Sequence, residues 1–472
     1  MRVRGVGVVN VGLPRALVTE LKSLLGDKWV VEEPRAIERY LLDETPLGVR
    51  PHPSENVVVV KPGSPEEVSH VVKLANKYRV PVYPRGGGTG LVGGAVPTRA
   101  GIILSLERLD KLAIDVDNMV AEAEAGVTLG RLIEEAERHG LTFPPHPGDE
   151  GATIGGLVAC NAGGSRAVKT GVTRNYVLGL EVVLPTGDFL KLGGKTVKNN
   201  MGYNLAHLFI GSEGVLCVIV KAYLRLYPKW RYTATVIVPF NDYAPAFRAA
   251  RKVLFSGMLP LAAEYFDKRA IELSAKHLGV SWPVGEGEHY LMFIFAEPIE
   301  DLLLYQLEVV EKLTRVEGGL EPYVFQREDE QKLVLKVRSE IFSATKASVF
   351  DAIDVAVPLG SLEKLVDGIA NIGRKYGVWI PIYGHVGDGN LHVDLMFYPG
   401  LGVEDLEKIR DEIYRLVLEL GGTISGEHGV GYVRKAYVKR VLGDTWVKAM
   451  RAVKKALDPN NVLNPDKVIP ED

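Results

Sequence analysis

The sequence predicts an α+β protein built in two parts, and three observations predict it. A β-α-β unit opens at Val57, strands then follow one another at hairpin spacing from about 178 to 226, and past Trp230 longer helices alternate with strands. At about 150 residues per domain, the 472 residues suffice for roughly three units with buried cores.

Residues 1–50 read as a helical lead-in. Asn10, Gly12 and Pro14 break the short apolar stretch at the start and no small-residue cleavage site follows, so no leader is expected. Leu17, Leu21, Leu24 and Leu25 then stand at helical spacing. The next unit, 51–230, opens on the strand of Val57, Val58, Val59 and Val60. Ser64 caps a helix with Pro65 at its first position and Glu67 closing a capping box, and Val68, Val71, Val72 and Ala75 form its buried stripe. The strand at Val80-Pro81-Val82-Tyr83 completes the β-α-β. A helix from Thr128 to about His139 stops at Gly140. Strands at 178–184 and 189–192 flank the turn Pro185-Thr186-Gly187-Asp188, and a long strand at 214–226 ends at Pro228. This unit is α+β rather than a doubly wound parallel sheet. In 231–420, helices are expected near 328–344, 361–376 and 403–420, the last with Gly421 as its stop. Residues 421–472 are again rich in glycine and motifs and are expected to return to the earlier unit.

Composition excludes several classes. With 56 Lys and Arg against 59 Asp and Glu the net charge is -3, so nucleic acid is not an expected partner. Hydrophobic residues are 46% and charged residues 24%, as in a soluble globular protein, and no apolar run reaches the ~20 residues a bilayer span needs. Two cysteines, Cys160 and Cys217, can neither ligate a four-thiolate iron–sulfur cluster nor build a disulfide framework. A reducing, cytoplasmic setting is expected, with peripheral attachment at the inner face of a membrane left open.

Glycine is the outlier: 51 residues, about 11% against an average near 7%, and clustered. The loop Arg85-Gly86-Gly87-Gly88-Thr89-Gly90 presents bare N–H groups with a cation beside them, the physics of a phosphate cradle. Gly88, Gly90 and Gly93 spell an apparent dinucleotide fingerprint, but the chain runs on into the strand Ile102-Ile103-Leu104 instead of a helix, which rejects a nicotinamide Rossmann site. A second small-residue run covers 152–165, after the stiff stretch Pro144-Pro145-His146-Pro147-Gly148. A third covers 194–204, followed by Gly211-Ser212-Glu213-Gly214. Three such segments in one unit argue for one large cofactor.

A different pattern appears later. His385 and His392 stand in 384–392 (GHVGDGNLH), seven positions apart, which places them on opposite faces of an unbroken strand. The turn Gly387-Asp388-Gly389 breaks the strand and allows the rings to meet. Glu427 and His428 follow in 421–431 (GGTISGEHGVG). Two imidazoles and a carboxylate suit Zn²⁺ or Mn²⁺ with a position open for a substrate oxygen. Isolated histidines are more often structural, and on residue types alone the two readings stand level.

The segments PRGGGTGLVGG, ATIGGLVACNAGG, GGKTVKNNMGYN and GSEGVLCVI resemble the FAD-binding domain shared with p-cresol methylhydroxylase and vanillyl-alcohol oxidase. With GHVGDGNLH, GGTISGEHGVG and DPNNVLNPDK they resemble the D-lactate, glycolate and D-2-hydroxyglutarate dehydrogenase branch, over roughly residues 50–470. The resemblance implies a two-part FAD-binding domain at 51–230, a substrate or cap domain at 231–420, and a C-terminal segment, 421–472, that completes the active site. It places the FAD pyrophosphate on the loop from Arg85 to Gly90, with further contacts from Pro145, Thr153, Gly155, Gly156, Asn161, Gly163, Glu213 and Ile219. Some relatives attach the flavin through a histidine where this chain has Gly88, so non-covalent FAD is expected. It makes His385, His392 and Glu427 ligands of a divalent ion and His428 the base.

The substrate arginine of the hydroxyglutarate branch matches Arg338, although an exposed helix arginine is an equal reading of that residue. Phe342 and Ala352 stand where that branch has threonine and lysine, and Asp394 where it has asparagine. A lost cation and a gained anion disfavour a dicarboxylate and favour a small D-2-hydroxy acid such as D-lactate, oxidised by hydride transfer to flavin. A quinone, a carrier or a partner subunit would accept the electrons, and a homo-oligomer is expected. A glycolate oxidase-type subunit, a D-2-hydroxyglutarate dehydrogenase, or a non-catalytic flavin subunit are the alternatives. The last is disfavoured by the intact His385, His392, Glu427 and His428.

Overall fold

The computed structural model describes residues 12–471, so the expectation about a leader lies largely outside the described residues. The first sheet has the order β1-β2-β4-β3, where β1 is Val30–Val31, β2 Val57–Val60, β3 Val82–Arg85 and β4 Gly101–Ser105. Strands β2 and β3 both run parallel to β4. The helix Pro65–Tyr78 links β2 to β3. Ser64 Oγ accepts from Glu67 N at 3.2 Å, and Val68, Val71, Val72 and Ala75 are buried against the sheet. The lead-in is not purely helical: between its helices Arg15–Leu25 and Pro34–Leu41 lies β1, antiparallel to β2. A two-residue strand is too short to leave a periodic signal.

The second sheet, β5-β6-β10-β8-β9, is antiparallel throughout. It comprises β5 (Leu112–Asp115), β6 (Val120–Glu124), β8 (Val177–Val183), β9 (Phe189–Gly193) and β10 (Val218–Arg225). The long strand expected at 214–226 is shorter, because the chain turns through 213–216, with Glu213 and Gly214 at positive φ, before β10 begins; beyond it β11 (Tyr227–Pro228) pairs with β7 (Leu141–Thr142) in a separate ladder. Helices Leu129–Arg138 and Ile154–Cys160 cover one face of this sheet, burying Leu132, Ala136, Leu157 and Val158 in its core.

Past Trp230 the chain builds a seven-stranded antiparallel sheet of order β15-β12-β14-β13-β17-β18-β16. Its members are β12 (Tyr232–Phe240), β13 (Ala262–Asp267), β14 (His289–Glu297), β15 (Tyr323–Phe325), β16 (Val349–Ala356), β17 (Ile382–His385) and β18 (Asn390–Met396). Both faces are covered, so the inner strands read as nearly continuous apolar runs. On one face pack helices Tyr243–Phe255, Glu300–Val316, Leu362–Tyr376 and Val403–Glu419. On the other pack Lys268–Leu278, Glu328–Ser339 and Ile341–Thr345. The helix expected over 328–344 is thus broken near Glu340, whose backbone is the cap shared by its two halves.

The last residues run back onto the first two sheets. Leu463 forms a parallel bridge with Val82. Buried Lys454 donates to the carbonyls of Val215 and Leu463 at 2.8 and 2.7 Å. No described helix is long and apolar enough to cross a membrane.

Candidate active site

The site is assembled on the seven-stranded sheet. Strands β17 and β18 form a hairpin in which Tyr383 pairs with His392 and His385 with Asn390, so the turn at 386–389 puts both imidazoles on one face. Gly384 (φ 147°) is needed there, since a Cβ would lie 2.8 Å from Asn390 O. His385 Nε2 and His392 Nε2 are 3.3 Å apart. Glu427 Oε1, arriving from the C-terminal segment, lies 3.3 Å from the first and 3.5 Å from the second. The three donor atoms converge as the ligands of one divalent ion would. His428 follows, its ring stacked on His392 with centroids 5.1 Å apart.

Charges in this pocket are set by burial and close partners. His385 Nδ1 is 2.6 Å from Glu264 Oε1, and the other oxygen of Glu264 pairs with Arg338 Nη2. Burial opposes the charged form of His385, but Glu264 and Glu427 outweigh it and hold its pKa well above the usual value. His392 goes the other way, down to about 3, through burial and then the neighbouring His385 and His428. Burial also opposes ionisation of Glu427, yet His385 and His392 hold it at about 2. Glu427 and His392 are thus in the states that bind a cation, whereas His385 holds a proton that a bound cation would displace.

Arg338 lies on the helix Glu328–Ser339 and is 9% exposed, which removes the exposed-helix reading. Its guanidinium sits over the Tyr383 ring, 5.2 Å from the centroid. Ala352 and Asp394 are register partners on β16 and β18. Asp394 differs from expectation: it is buried beneath Tyr383 and Thr345, whose hydroxyls donate to it at 3.1 and 3.0 Å. Burial outweighs those bonds and raises its pKa to about 7, so it does not act as a fixed anion.

Sequence reasoning missed two carboxylates. Glu264 is 1% exposed and Asp354 0%. Asp354 Oδ2 accepts from the backbone N–H of Glu427 and of His428, both at 2.8 Å, and Oδ1 accepts from Asn390 Nδ2 at 2.7 Å. A signal existed, since each acid interrupts an apolar strand, Ala263-Glu264-Tyr265 and Ile353-Asp354-Val355. A carboxylate buried there needs partners.

The glycine segments come together beside this cluster. A Cβ at Gly86 would lie 2.2 Å from Thr153 Oγ1, at Gly87 2.9 Å from Gly151 O, and at Gly155 2.7 Å from Ala125 Cβ. At Gly88 (φ 76°) it would strike Arg85 Nη2 at 2.2 Å. The Arg85 guanidinium itself turns inward and donates to Leu42 O at 2.8 Å. Gly90 O accepts from Glu44 N, and Thr89 is half-buried behind it. Pro145 is buried; Asn161 (φ 57°) accepts from Arg174 N; Ile219 lies in the core of the second sheet. Buried Thr153 Oγ1, Ser212 Oγ and Arg85 Nη1 have no hydrogen-bond partner among the described residues. Bare backbone and orphaned polar atoms together fit a large phosphate-bearing cofactor. His146 pairs with Glu150 at 3.3 Å and does not join the cluster.

The two constellations touch. A Cβ at Gly163 would lie 2.6 Å from Glu427 Oε2, and Cys160 Sγ donates to Glu427 O at 3.2 Å. Glu213 (φ 50°) accepts from Val430 N and Gly431 N, both at 2.8 Å, fastening the cradle to the segment carrying Glu427 and His428. Burial outweighs these bonds and raises Glu213 to about 7.

A site of this build, a glycine cradle against a polar cluster on a separate sheet, is that of a flavin-linked oxidoreductase. The chain belongs to the FAD-linked oxidases: residues 229–468 match the C-terminal domain of that family and 57–193 match an FAD-binding domain. It is 42% identical to a D-lactate dehydrogenase of Archaeoglobus fulgidus, over 93% of this chain and 99% of that protein. It is 33% identical to the glycolate oxidase subunit GlcD of Bacillus subtilis, over 92% of each. A probable mitochondrial D-2-hydroxyglutarate dehydrogenase of Oryza sativa is 32% identical, over 96% of this chain and 82% of that one. Among solved structures, substrate-bound p-cresol methylhydroxylase superposes with a TM-score of 0.78 at 20% identity, covering 97% of this chain and 96% of that one. The fold is thus of the p-cresol methylhydroxylase type, and the chain is an FAD-linked enzyme.

Proposed function

We propose that the enzyme oxidises a small D-2-hydroxy acid, D-lactate best of all, to the 2-oxo acid and passes the electrons to an acceptor other than nicotinamide. The observation that carries this reading is the contact at Gly163, where the FAD cradle meets Glu427 of the His385–His392–Glu427 cluster. A hydroxy acid bound there lies against both. Relatives named for D-lactate, glycolate and D-2-hydroxyglutarate support the substrate class.

We assign FAD, held non-covalently, to the unit at 51–230, with Arg85, Gly86, Gly87, Gly88, Thr89, Gly90, Pro145, Thr153, Gly155, Gly156, Asn161, Gly163, Glu213 and Ile219 around it. The unit at 231–420 takes the substrate and 421–472 completes the site. When bound, FAD supplies a hydride acceptor, and a divalent ion, Zn²⁺ or Mn²⁺, supplies a Lewis acid for the substrate oxygens. His385, His392 and Glu427 would hold that ion. Arg338, fixed by Glu264, orients the substrate carboxylate by charge. His428 takes the proton of the C2 hydroxyl as hydride leaves C2, because a hydroxyl that kept its proton would give a protonated carbonyl. The buried walls of the cluster exclude water around that transfer.

Ala352 offers no cation for a second carboxylate, which favours lactate over 2-hydroxyglutarate. Asp394, near neutral, adds little to that preference. The test is anaerobic mixing with D-lactate, L-lactate, glycolate and D-2-hydroxyglutarate while flavin absorbance is followed. D-lactate is expected to bleach the flavin fastest. Equal bleaching by the dicarboxylate overturns the substrate choice, and no bleaching by any hydroxy acid overturns the function.

A further inference from the structure

We infer that Asp354 is the positioning residue that fixes His392 and His428 as Nδ1–H tautomers, leaving both Nε2 lone pairs free, one for ligation and one for proton removal. The inference deepens the function proposed above and rests on its assignment of His428.

Asp354 stands on β16 directly opposite His392, on the same face of the sheet. His392 Nδ1 lies 3.8 Å from Asp354 Oδ1, and His428 Nδ1 lies 3.9 Å from Oδ2. Both Nδ1 atoms are buried and have no hydrogen-bond partner among the described residues. The two rings are nearly parallel, 7° apart, so they turn the same edge toward one carboxylate. A neutral imidazole carries one N–H, and a buried N–H left without an acceptor is costly. Placing each proton on Nδ1 turns it toward a carboxylate, that of Asp354. Placing it on Nε2 of His392 would leave Nδ1 bare against Asp354 and would fill with a proton the lone pair that faces His385 Nε2 and Glu427 Oε1, 3.3 and 3.5 Å away, where a shared ion would sit. The present separations exceed a finished hydrogen bond by about 1 Å, a distance that small ring movements close.

Asp354 is itself immobilised. Three donors hold its two oxygens: Glu427 N, His428 N and Asn390 Nδ2. Asn390 Nδ2 also donates to Val355 O at 2.9 Å, which anchors the amide. The approach of the 426–428 turn depends on Gly426, where a Cβ would lie 2.3 Å from Asn390 Nδ2 and 2.9 Å from Asp354 Oδ1. One carboxylate therefore sets the position of the turn and the proton on each ring. A carboxylate bonded to the far nitrogen of a ligating histidine is the usual way a ligand tautomer is fixed. Here the same carboxylate serves the base as well.

The experiment uses the FAD-loaded, zinc-supplemented enzyme with ¹⁵N-labelled histidine. Long-range ¹H–¹⁵N correlations report which ring nitrogen carries the proton, and His392→Gln and His428→Gln variants identify the signals. Protonated Nδ1 and unprotonated Nε2 are expected at both residues, with the His392 Nε2 signal further shifted by zinc. Asp354→Asn should return His428 toward the Nε2–H form and slow anaerobic flavin reduction by about 100-fold, with flavin absorbance retained. An Nε2–H tautomer at His428 in the unmodified enzyme overturns the inference, whether or not the variant folds. Unchanged tautomers and rate in Asp354→Asn overturn it too. If no hydroxy acid reduces the flavin yet both rings are Nδ1–H, the substrate reading fails and the role of Asp354 stands.

Discussion

The cradle and the His/Glu cluster solve the problem of binding with opposite materials. Around Gly86, Gly87, Gly155 and Gly163 the chain removes side chains so that backbone can approach its neighbours closely, a Cβ at each falling 2.2 to 2.9 Å from another atom. On the seven-stranded sheet it does the reverse, burying carboxylates, imidazoles and a guanidinium where apolar residues would pack. The cradle is therefore most sensitive to an added atom, and the cluster to a change of charge or protonation. The two depend on each other at Gly163 and Glu213, where one side of the contact is backbone and the other a carboxylate.

The largest effect that would sharpen this contrast is on His428. His428→Ala should cut the rate of anaerobic flavin reduction roughly 10²–10⁴-fold, the usual contribution of general acid–base catalysis, with FAD and metal retained. Stopped-flow absorbance checks it, and a rate within about threefold of the unmodified enzyme would take the base role from His428. Next, His385→Ala and His392→Ala should each lower bound metal from about one ion per chain toward none, read by elemental analysis, while the flavin stays yellow. A metal-free active enzyme would break the ligand assignment.

On the cradle side, Gly86→Ala should weaken FAD at least about tenfold by forcing the loop off Thr153, measured by flavin released on dilution, without altering metal content. Acid precipitation of the unmodified protein should leave the flavin in solution, because Gly88 offers no atom for attachment. The smallest effect concerns Glu213. Its folded pKa is raised to about 7, so between the ordinary carboxylate range and pH 7 the folded state holds a proton that the unfolded chain has lost. Stability must therefore fall as pH rises through that window, by about 3 kcal/mol at most. Glu213→Gln should make the fall in stability between pH 5 and pH 8 smaller in urea unfolding, leaving the part that Asp394, raised likewise, contributes.

The contrast also decided what could be read from sequence. The cradle announced itself, because a close backbone approach leaves glycines in clusters whatever the topology. The hairpin of His385 and His392 was legible for the same reason: Gly387, Asp388 and Gly389 mark the turn. Glu264 and Asp354 were passed over because their partners come from strands and loops far away in sequence, and a single acid in an apolar run resembles a strand edge. Arg338 read equally well as a surface residue until the helix Glu328–Ser339 was seen packed on the sheet. Asp394 read as an anion because its burial under Tyr383 is set by sheet order β17-β18-β16, which no local pattern encodes. The split of the lead-in by β1 was hidden by that strand's length.

The bridge between Val82 and Leu463 joins the first sheet to the C-terminal segment, residues far apart in the chain. Strand β3, which delivers Arg85 to the cofactor loop, has its free edge closed only when residues near 463 arrive. During synthesis the nucleotide pocket is thus left ajar until residues near 463 have emerged from the ribosome, and flavin acquisition follows that event. Contacts spanning so much sequence also form slowly. Supplying FAD after translation, rather than during it, should then be as effective in producing the loaded protein.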